Sequence, residues 1–278
     1  MLCAIGDLLE DVVVWLSAPP RVATDTPVRV FHRRGGSAAN VAAFAAGIDG
    51  VGSRFIGRVG DDAAGDRLVN GLLAAGVDAR VQRVGRTGTI VVLVDTAGER
   101  TMLSDRGAST GLLGVPEAWL DGVDVLHLPA YSLTAEPIGS TCMALAATAR
   151  RRGIAVSVDA SSIAVLEAFG TSRFLDVVAS LDPAFFFASA AEAELLDLTG
   201  GGPAPVTVVK AGAEPVRILP GVEIPVPKVD GVTDTTGAGD AFAAGFLAAW
   251  CDGAPPDAAA RAGIALAATV LTRPGAAA

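Results

Sequence analysis

The chain has 278 residues, enough for one large α/β domain or two smaller ones. It carries a net charge of −9 and has no basic run with interleaved aromatic residues, so nucleic acid is excluded as an expected partner. Hydrophobic residues make up 51% of the chain, but no apolar run reaches the roughly 18 residues that a membrane span requires.

The cysteines and the N-terminus predict a cytoplasmic protein. Cys3, Cys142 and Cys251 are odd in number, widely separated and free of any CxxC motif, which is typical of buried thiols in a reducing compartment. The N-terminal residues lack the basic region of a signal peptide and are predicted to form a strand instead.

The first predicted element is an apolar strand, Leu2 to Ile5, which ends at Gly6 and Asp7. A second acid, Asp11, follows shortly afterwards. In open α/β sheets ligands bind beyond the carboxyl ends of the strands, so Asp11 is a candidate ligand-binding residue. The alternative is a solvated acid in a turn.

A glycine pair precedes the first predicted helix. Gly35 and Gly36 lead into a helical pattern over residues 38–46, and Ser37 is its predicted N-cap. The two glycines let a ligand approach the backbone closely, and Asn40 offers both a hydrogen-bond donor and an acceptor.

The remaining elements fall into two groups. Residues 28–33 alternate between apolar and polar, as in an exposed strand, and residues 80–84, 89–95 and 100–103 also read as strands. From residue 112 onward strands alternate with helices, which predicts a parallel sheet covered on both faces. The predicted strands are 123–128, 154–158, 185–187 and 206–210, and the predicted helices include 136–152, 189–196 and 258–271.

The most informative stretch is DTTGAGDAFAAGF, which begins at Asp234. Gly237 and Gly239 flank Ala238, so no bulky side chain shields the backbone N–H groups, which can bind an anion at the start of the following helix. Asp240 lies in the first turn of that helix and can accept a proton. A tight turn followed by an ordinary helix-capping acid is the alternative.

Two parts of the chain resemble the signatures of the ribokinase-like (PfkB) family of carbohydrate and nucleoside kinases. The N-terminal part is GGSAAN at 35–40 with FIGRVGDDAAGDRLVNGLLAAGVD at 55–78, and the C-terminal part is the stretch that begins at residue 234. These motifs cover about a third of the chain. Its ending, TRPGA, is also similar to the ending of family members.

The resemblance implies a fold and a division of the chain. The fold is an α/β three-layer sandwich, with a mostly parallel central sheet covered by helices on both faces, and a small β-sheet lid. Residues 1–11, 35–79 and 107–278 would form the larger unit, and residues 12–34 and 80–106 the lid. The lid would exclude water from the site, and a homodimer through it is left open. An edge extension of the main sheet is the alternative for the lid strands.

The resemblance also implies ATP-dependent transfer of a phosphate to a hydroxyl of a small sugar. Asp240 would be the base, and the amides of Gly237, Ala238 and Gly239 would form the anion hole, in a loop that contains no lysine. The sugar would be bound by four residues near the N-terminus. These are Asp11, Gly35, Gly36 and Asn40.

Further residues are expected to bind the nucleotide and metal ions. Glu192 would support Mg²⁺ through water, and a monovalent cation, K⁺, could bind at Asp234, with simple capping of the loop as its alternative. Ser189 and Pro215 depart from the family pattern. The expected nucleotide ligands are Lys210, Gly212, Thr235, Gly237 and Gly239, and the expected ligands of the monovalent cation are Asp234, Thr236 and Gly275.

Two other functions stay open. A nucleoside kinase would need a stacking aromatic side chain in the lid, for which Phe31 and Trp15 are candidates. A non-catalytic sugar or nucleotide sensor would be consistent with the departures at residues 189 and 215. P-loop, Rossmann and HExxH motifs do not occur. Arg33 and Arg34 could bind a phosphorylated sugar, but an unphosphorylated substrate is expected.

Overall fold

The computed structural model of the chain describes residues 1–232 and 234–272. These residues form thirteen strands and eight α-helices. The strands are β1 (Leu2–Gly6), β2 (Leu9–Leu16), β3 (Val28–Gly35), β4 (Ser53–Val59), β5 (Asp78–Arg83), β6 (Thr87–Val94), β7 (Arg100–Gly107), β8 (Val125–Pro129), β9 (Ala155–Asp159), β10 (Phe185–Ser189), β11 (Val206–Ala211), β12 (Glu214–Leu219) and β13 (Val222–Ile224). The helices are α1 (Ser37–Ala46), α2 (Ala63–Ala74), α3 (Ile138–Arg151), α4 (Ile163–Phe169), α5 (Thr171–Leu181), α6 (Ala190–Leu195), α7 (Ala238–Cys251) and α8 (Pro256–Leu271).

The large sheet has nine strands in the order β13-β12-β11-β10-β9-β8-β1-β4-β5. The seven strands from β11 to β5 pair in parallel, and β12 and β13 add an antiparallel hairpin at one edge. One hydrophobic cluster joins the sheet to α1, α2, α7 and α8, and a second joins it to α3, α4, α5 and α6. The predicted three-layer sandwich with a mostly parallel sheet is therefore confirmed.

A separate four-stranded sheet, called the small sheet below, has the order β3-β2-β6-β7. It confirms the predicted second sheet with one correction. The strand predicted at 80–84 is β5, which pairs in parallel with β4 at the edge of the large sheet. The reason is that α2 connects β4 to β5 as a crossover helix, and such a crossover returns the chain parallel to the preceding strand.

The start of α1 also differs from the prediction. Ser37 is the first helical residue, and Gly36 precedes it as the N-cap with φ at 99°. Only glycine fits at residue 36, because a Cβ there would lie 2.2 Å from the carbonyl oxygen of Asp7. The Ser37 hydroxyl therefore does not cap α1, and it forms a hydrogen bond with Asp240 on α7 instead. Helices α4 and α5 were not predicted from the sequence.

Aromatic packing holds α7 against the large sheet. Phe242 and Phe246, one turn apart on α7, contact Phe187 on β10 with ring centroids 6.1 and 5.2 Å away. Edge-to-face pairs of this kind stabilise a packed core beyond the area that they bury. They position the N-terminus of α7 over the carboxyl edge of the sheet. None of the described helices is both long and apolar enough to cross a membrane.

Candidate active site

The N-termini of α1 and α7 meet at the carboxyl edge of the large sheet, and Asp240 lies between them. The Ser37 hydroxyl donates to Oδ1 of Asp240 at 2.6 Å, and Nδ2 of Asn40 donates to Oδ2 at 3.0 Å. Arg34 in turn donates from Nε to Oδ1 of Asn40 at 3.3 Å. Both carboxylate oxygens of Asp240 are thus oriented by side chains about 200 residues away in sequence.

Asp11 approaches the same site from β2 of the small sheet. Its carboxylate lies against the backbone of Gly35, where an added Cβ would be 2.0 Å from Oδ1. Among the described residues, this buried Oδ1 has no hydrogen-bond partner. A buried acceptor without a partner is costly, and a ligand hydroxyl could satisfy it.

The two carboxyl groups of Asp11 and Asp240 influence each other. Burial raises the pKa of Asp11 to about 6, and the charge of Asp240 adds to the shift. Burial likewise raises the pKa of Asp240 to about 6, while the hydrogen bonds from Ser37 and Asn40 oppose the rise. A carboxylate with a pKa nearer to neutrality is a stronger base than an ordinary aspartate, and it is still ionised at neutral pH.

The loop before α7 offers backbone donors. Gly237 adopts the left-handed conformation with φ at 79°, and no side chain caps the helix. Within the described part of the chain, no acceptor bonds the N–H groups of Gly237, Gly239 or Asp240. Three unpaired amides at a helix N-terminus form a binding site for an anion.

A lysine lies beside this loop, although none lies in it. Nζ of Lys210 on β11 would be 3.4 Å from a Cβ built on Gly239, and it forms an ion pair with Asp159 at 2.7 Å. Burial alone would lower the pKa of Lys210, but the charge of Asp159 and its hydrogen bond raise the pKa above the usual value. The prediction placed Lys210 among the nucleotide ligands, and its ammonium group can contact an anion at the loop.

Two carboxylates border Lys210, namely Asp159 at the end of β9 and Glu192 on α6, the helix that directly follows β10. Glu192 accepts from the Ser189 amide at 2.7 Å, and the Ser189 hydroxyl accepts from the Glu192 amide, so the two form a capping box on α6. Burial and the charge of Asp159 raise the pKa of Glu192. The sequence offered only one signal for Asp159, its position at the end of a predicted strand on the ligand-binding edge.

Magnesium fits this pair of carboxylates. Among the described residues, no group of three or more His, Cys, Asp or Glu side chains is arranged around a metal position. Mg²⁺ on a nucleotide needs only one or two protein carboxylates, because phosphate oxygens and water supply its other ligands. Asp159 and Glu192 meet that requirement at the side of the loop where Lys210 lies.

Arginine contacts tie the last strand of the small sheet to the large sheet. Arg100, at the start of β7, contacts the carboxylate of Asp234 and the hydroxyl of Thr236 in the loop before α7. Arg106, near the end of β7, forms a bidentate ion pair with the buried Asp7 at 2.7 and 2.8 Å. Neither contact was predicted, since each joins residues about 100 or more positions apart.

The other predicted ligands lie in this region or outside the described residues. Asp234 and Thr236, two of the three residues predicted for a monovalent cation, are neighbours, and the Thr236 amide donates to Asp234 at 2.7 Å. Gly275 lies outside the described residues. Thr235 is exposed at the start of the loop, and Gly212 lies in the turn that follows β11.

Comparison with known sequences identifies one family. The family model described as pfkB family carbohydrate kinase matches residues 1–278. An ATP-dependent ribose-1-phosphate kinase from Halopiger xanaduensis is 31% identical over 264 residues, which covers 88% of this chain and 83% of that protein. A fructokinase from Klebsiella pneumoniae is 34% identical over 253 residues, covering 82% and 80% of the two chains.

Solved structures show the same fold. An adenosine kinase from Sinorhizobium meliloti superimposes with a TM-score of 0.87 at 22% identity, covering 100% of this chain and 95% of that one. A ribokinase from Thermotoga maritima gives a TM-score of 0.80 at 24% identity, covering 99% and 94%. At these identities the likeness concerns the fold and carries no information on the substrate.

Proposed function

This chain belongs to the PfkB family of carbohydrate kinases, and on that premise we propose that it transfers the γ-phosphate of ATP to a hydroxyl of a small sugar. One observation carries the proposal: Asp240, with both carboxylate oxygens oriented, lies in the first helical turn beside amides that have no acceptor among the described residues. A base and an anion hole within one helical turn are the two groups that phosphoryl transfer to an alcohol needs.

In the proposed mechanism, the acceptor hydroxyl donates its proton to Asp240 as its oxygen attacks the γ-phosphorus. The bond to the β-phosphate oxygen breaks, and ADP leaves with that oxygen. The N–H groups of Gly237, Gly239 and Asp240 donate to the transferring phosphate, whereas the Ala238 N–H, predicted as part of the anion hole, is bonded to the carbonyl oxygen of Thr235 at 3.2 Å. Lys210 adds a positive charge at the same loop, next to Gly239.

The other residues position the two substrates. Asp11 accepts a hydrogen bond from a sugar hydroxyl through its otherwise unpartnered Oδ1, and Asn40 orients Asp240 and the same sugar. Gly35 and Gly36 contribute to the sugar site indirectly. A Cβ at residue 35 would lie 2.0 Å from Oδ1 of Asp11, and a Cβ at residue 36 would lie 2.2 Å from the Asp7 carbonyl oxygen, so the two glycines let Asp11 approach the start of α1. Gly212 and Thr235 lie along the nucleotide.

Asp159 and Glu192 would hold Mg²⁺ directly or through water, and Mg²⁺ on the triphosphate would neutralise charge that builds up during transfer.

A monovalent cation is not needed at Asp234, because the guanidinium of Arg100 already contacts that carboxylate and Thr236. Replacing K⁺ by Na⁺ at constant ionic strength should therefore leave the rate unchanged, and strong activation by K⁺ would contradict this part of the proposal.

The small sheet acts as a lid in this proposal. Its face that carries Asp11 also carries Trp15 and Phe31, which are 50% and 42% exposed. A sugar under the lid would cover these side chains and lose its contact with water. The expected homodimer through the small sheet stays a prediction.

A nucleoside kinase is the second candidate, favoured by one observation. Phe31 and Trp15 are aromatic side chains exposed on the face of the lid towards the site, where a base could stack on them. The named relatives act on ribose-1-phosphate and on fructose, which favours a sugar acceptor and leaves open whether it already carries a phosphate.

The test is a screen for ADP release with ATP and Mg²⁺ against sugars, sugar phosphates and nucleosides, with an acceptor-free reaction as the control. Sugar-dependent ADP release and a phosphorylated sugar product detected by mass spectrometry are expected. A nucleoside as the best acceptor would select the second candidate. ATP turnover that no alcohol stimulates would overturn the proposed function.

A further inference from the structure

The hydroxyl of Ser37 is bonded to the proposed catalytic base. It donates to Oδ1 of Asp240 at 2.6 Å, while Nδ2 of Asn40 donates to the other carboxylate oxygen at 3.0 Å. Ser37 is only half-buried, so molecules that enter the site can reach its hydroxyl. A serine bonded to a base that a third group orients has the arrangement of an activated nucleophile.

Helix α1 does not require this bond. A serine that caps a helix accepts from a backbone N–H of its own first turn, but no side chain caps α1, and Gly36 occupies the N-cap position. The Ser37 hydroxyl instead crosses to α7, about 200 residues away in sequence. The position of this hydroxyl is therefore explained by the site and not by the start of the helix.

The same hydroxyl lies close to the proposed anion hole. The amides of Gly237, Gly239 and Asp240 have no acceptor in the described part of the chain, and they lie in the first turn of α7 or just before it. A γ-phosphate bound there would lie within one helical turn of the Asp240 carboxylate, and so beside the hydroxyl that is bonded to this carboxylate. In the absence of an acceptor sugar, that hydroxyl belongs to Ser37.

Resting on the kinase activity proposed above, we infer that the protein phosphorylates its own Ser37 when ATP is bound without an acceptor. Oγ of Ser37 attacks the γ-phosphorus, and its proton passes to Oδ1 of Asp240. The bond between the γ-phosphorus and the β-phosphate oxygen breaks, and ADP leaves with that oxygen. The products are ADP and a phosphate ester on Ser37, and no other reactant is consumed.

This modification blocks the site. A phosphoserine carries a charge of about −1.5 to −2 at neutral pH, and here the charge would stand beside the carboxyl groups of Asp240 and Asp11. The uncapped N–H groups at the start of α1 can hold the phosphate in place. A sugar hydroxyl that binds to Asp240 first displaces the Ser37 hydroxyl and prevents the reaction. The phosphorylation is thus a brake that acts when ATP is present and the sugar is scarce.

Incubation with ATP and Mg²⁺ in the absence of an acceptor tests the inference directly. Intact-mass spectrometry of the wild-type protein should show the gain of a single phosphate, at a rate that is independent of protein concentration because base and nucleophile belong to one chain. The tryptic peptide 35–54 contains Ser37 and Ser53, and its fragmentation should place the phosphate on Ser37. Ser53 is the internal control, because its buried hydroxyl donates to the carbonyl oxygen of Ala42 at 2.6 Å.

The variants are Ser37→Ala, Asp240→Asn and the control Ser180→Ala. Ser37→Ala should gain no phosphate, yet it should still phosphorylate the sugar at a rate only several-fold lower than that of the wild type. Asp240→Asn should slow the labelling by about 10²- to 10⁴-fold, because the base is lost. Ser180→Ala, on the exposed face of α5, should be labelled like the wild type.

The acceptor supplies a further test on the wild-type protein alone. Addition of the best acceptor from the screen should slow the labelling, because its hydroxyl and that of Ser37 compete for Asp240. Protein that has been labelled beforehand should lose sugar kinase activity in proportion to its phosphate content. Labelling that the acceptor does not slow, or full activity in the labelled protein, would contradict the brake.

Three results would overturn the inference as a whole. They are an active sugar kinase that gains no phosphate without acceptor, a phosphate on another residue than Ser37, and labelling of Asp240→Asn at the wild-type rate. The failure of this inference can be told apart from the failure of the proposed function. Labelling of Ser37 that depends on Asp240, while no sugar is phosphorylated, would sink the sugar kinase proposal alone, whereas sugar turnover with Ser37 unlabelled would sink this inference alone.

Discussion

The site is made of two regions that are held together in different ways. The floor, formed by Ser37, Asn40 and Asp240, is fixed by short side-chain hydrogen bonds between two helices packed on the large sheet. The small sheet above it exposes large apolar side chains, with Phe31 42% and Met102 58% exposed. It contacts the floor through Arg34 on β3, which donates to Asn40, and it contacts the surroundings of the floor through Arg100 and Arg106 on β7.

This difference assigns two tasks to the two regions: the floor carries out the chemical step, and the small sheet controls entry of the substrate. The floor must keep a base and an anion hole in one geometry, so it is built on packed elements. A cover that admits and releases a substrate must have few buried contacts with the floor, and exposed apolar surface under a sheet is consistent with that role. The account predicts that changes at the floor affect the chemical step, whereas changes at the β7 contacts affect stability and nucleotide use.

The largest effect on stability is expected at the buried pair Asp7–Arg106. Asp7→Asn leaves the guanidinium of Arg106 without its bidentate partner, and the free energy of unfolding should fall by about 3–5 kcal/mol. Urea unfolding followed by circular dichroism measures the change. The exposed pair Arg261–Asp257 gives the control Arg261→Gln, with an expected loss below about 0.5 kcal/mol. Equal effects in the two variants would remove the distinction between a buried anchor and a surface contact.

The second prediction concerns the contact of Arg100 with the loop before α7. Arg100→Gln removes the charge that joins the small sheet to Asp234 and Thr236, so kcat/KM for ATP should fall by about 10- to 100-fold. Steady-state kinetics with saturating acceptor measure this. The control is Arg86→Gln, which breaks the exposed pair with Asp105 in the same region and should leave kcat/KM for ATP unchanged. An unchanged kcat/KM in Arg100→Gln would show that the two regions are not coupled through this residue.

The third prediction is that Asp11→Asn makes the protein more stable but weakens its binding of the sugar. Because the pKa of Asp11 is raised to about 6 in the folded state, its ionisation costs stability as pH rises through that value, and the cost is absent below its unfolded pKa of roughly 4. Asp11→Asn should therefore raise the free energy of unfolding by about 1–2 kcal/mol at neutral pH, with no gain near pH 4.

The same variant should bind its sugar less well, because the amide offers a weaker acceptor than the carboxylate. Thermal unfolding measured across a range of pH reports the change in stability, and the KM for the acceptor reports the change in sugar binding. Asp95, which caps an exposed turn between β6 and β7, supplies the control Asp95→Asn. A gain in stability that is independent of pH, or an unchanged KM, would contradict the role given to Asp11.

The smallest predicted effect is a shift in a pH profile. The Ser37 hydroxyl bonds Asp240 and opposes the rise in its pKa, so Ser37→Ala should raise that pKa further. The acid limb of kcat/KM should then move to higher pH, while the plateau falls only several-fold. Ser180→Ala, on the exposed face of α5, should leave the profile in place. A limb that does not move would mean that Asp240 does not control it.

Much of the fold could be predicted from the sequence because its signals are local. Alternating strands and helices from residue 112 onward indicated a parallel sheet, and the glycine pair at 35–36 correctly marked the start of α1. The N-cap prediction at Ser37 was wrong because a capping serine and a serine that bonds a distant carboxylate have the same local pattern. The strand at 80–84 was placed in the wrong sheet because its pattern does not show which neighbour it pairs with.

The site was predicted less completely, for a physical reason. Asp11, Asn40 and Asp240 could be proposed one by one from strand ends, glycine turns and a family resemblance, and the structure brings them together. The Arg100 and Arg106 contacts could not be proposed, because they depend on the tertiary placement of β7 and not on any local spacing. Asp159 was visible only as the last residue of a strand, and its pairing with Lys210 depends on the order of β9, β10 and β11.

The central claim is that Asp240 accepts the proton of the acceptor hydroxyl. The direct measurement is kcat of Asp240→Asn beside its affinities for ATP and acceptor, with Asp252→Asn, at the exposed end of α7, as the matched control. The account predicts a loss of kcat of about 10²- to 10⁴-fold with both affinities kept, and no loss in the control. A kcat for Asp240→Asn close to that of the wild type would contradict it.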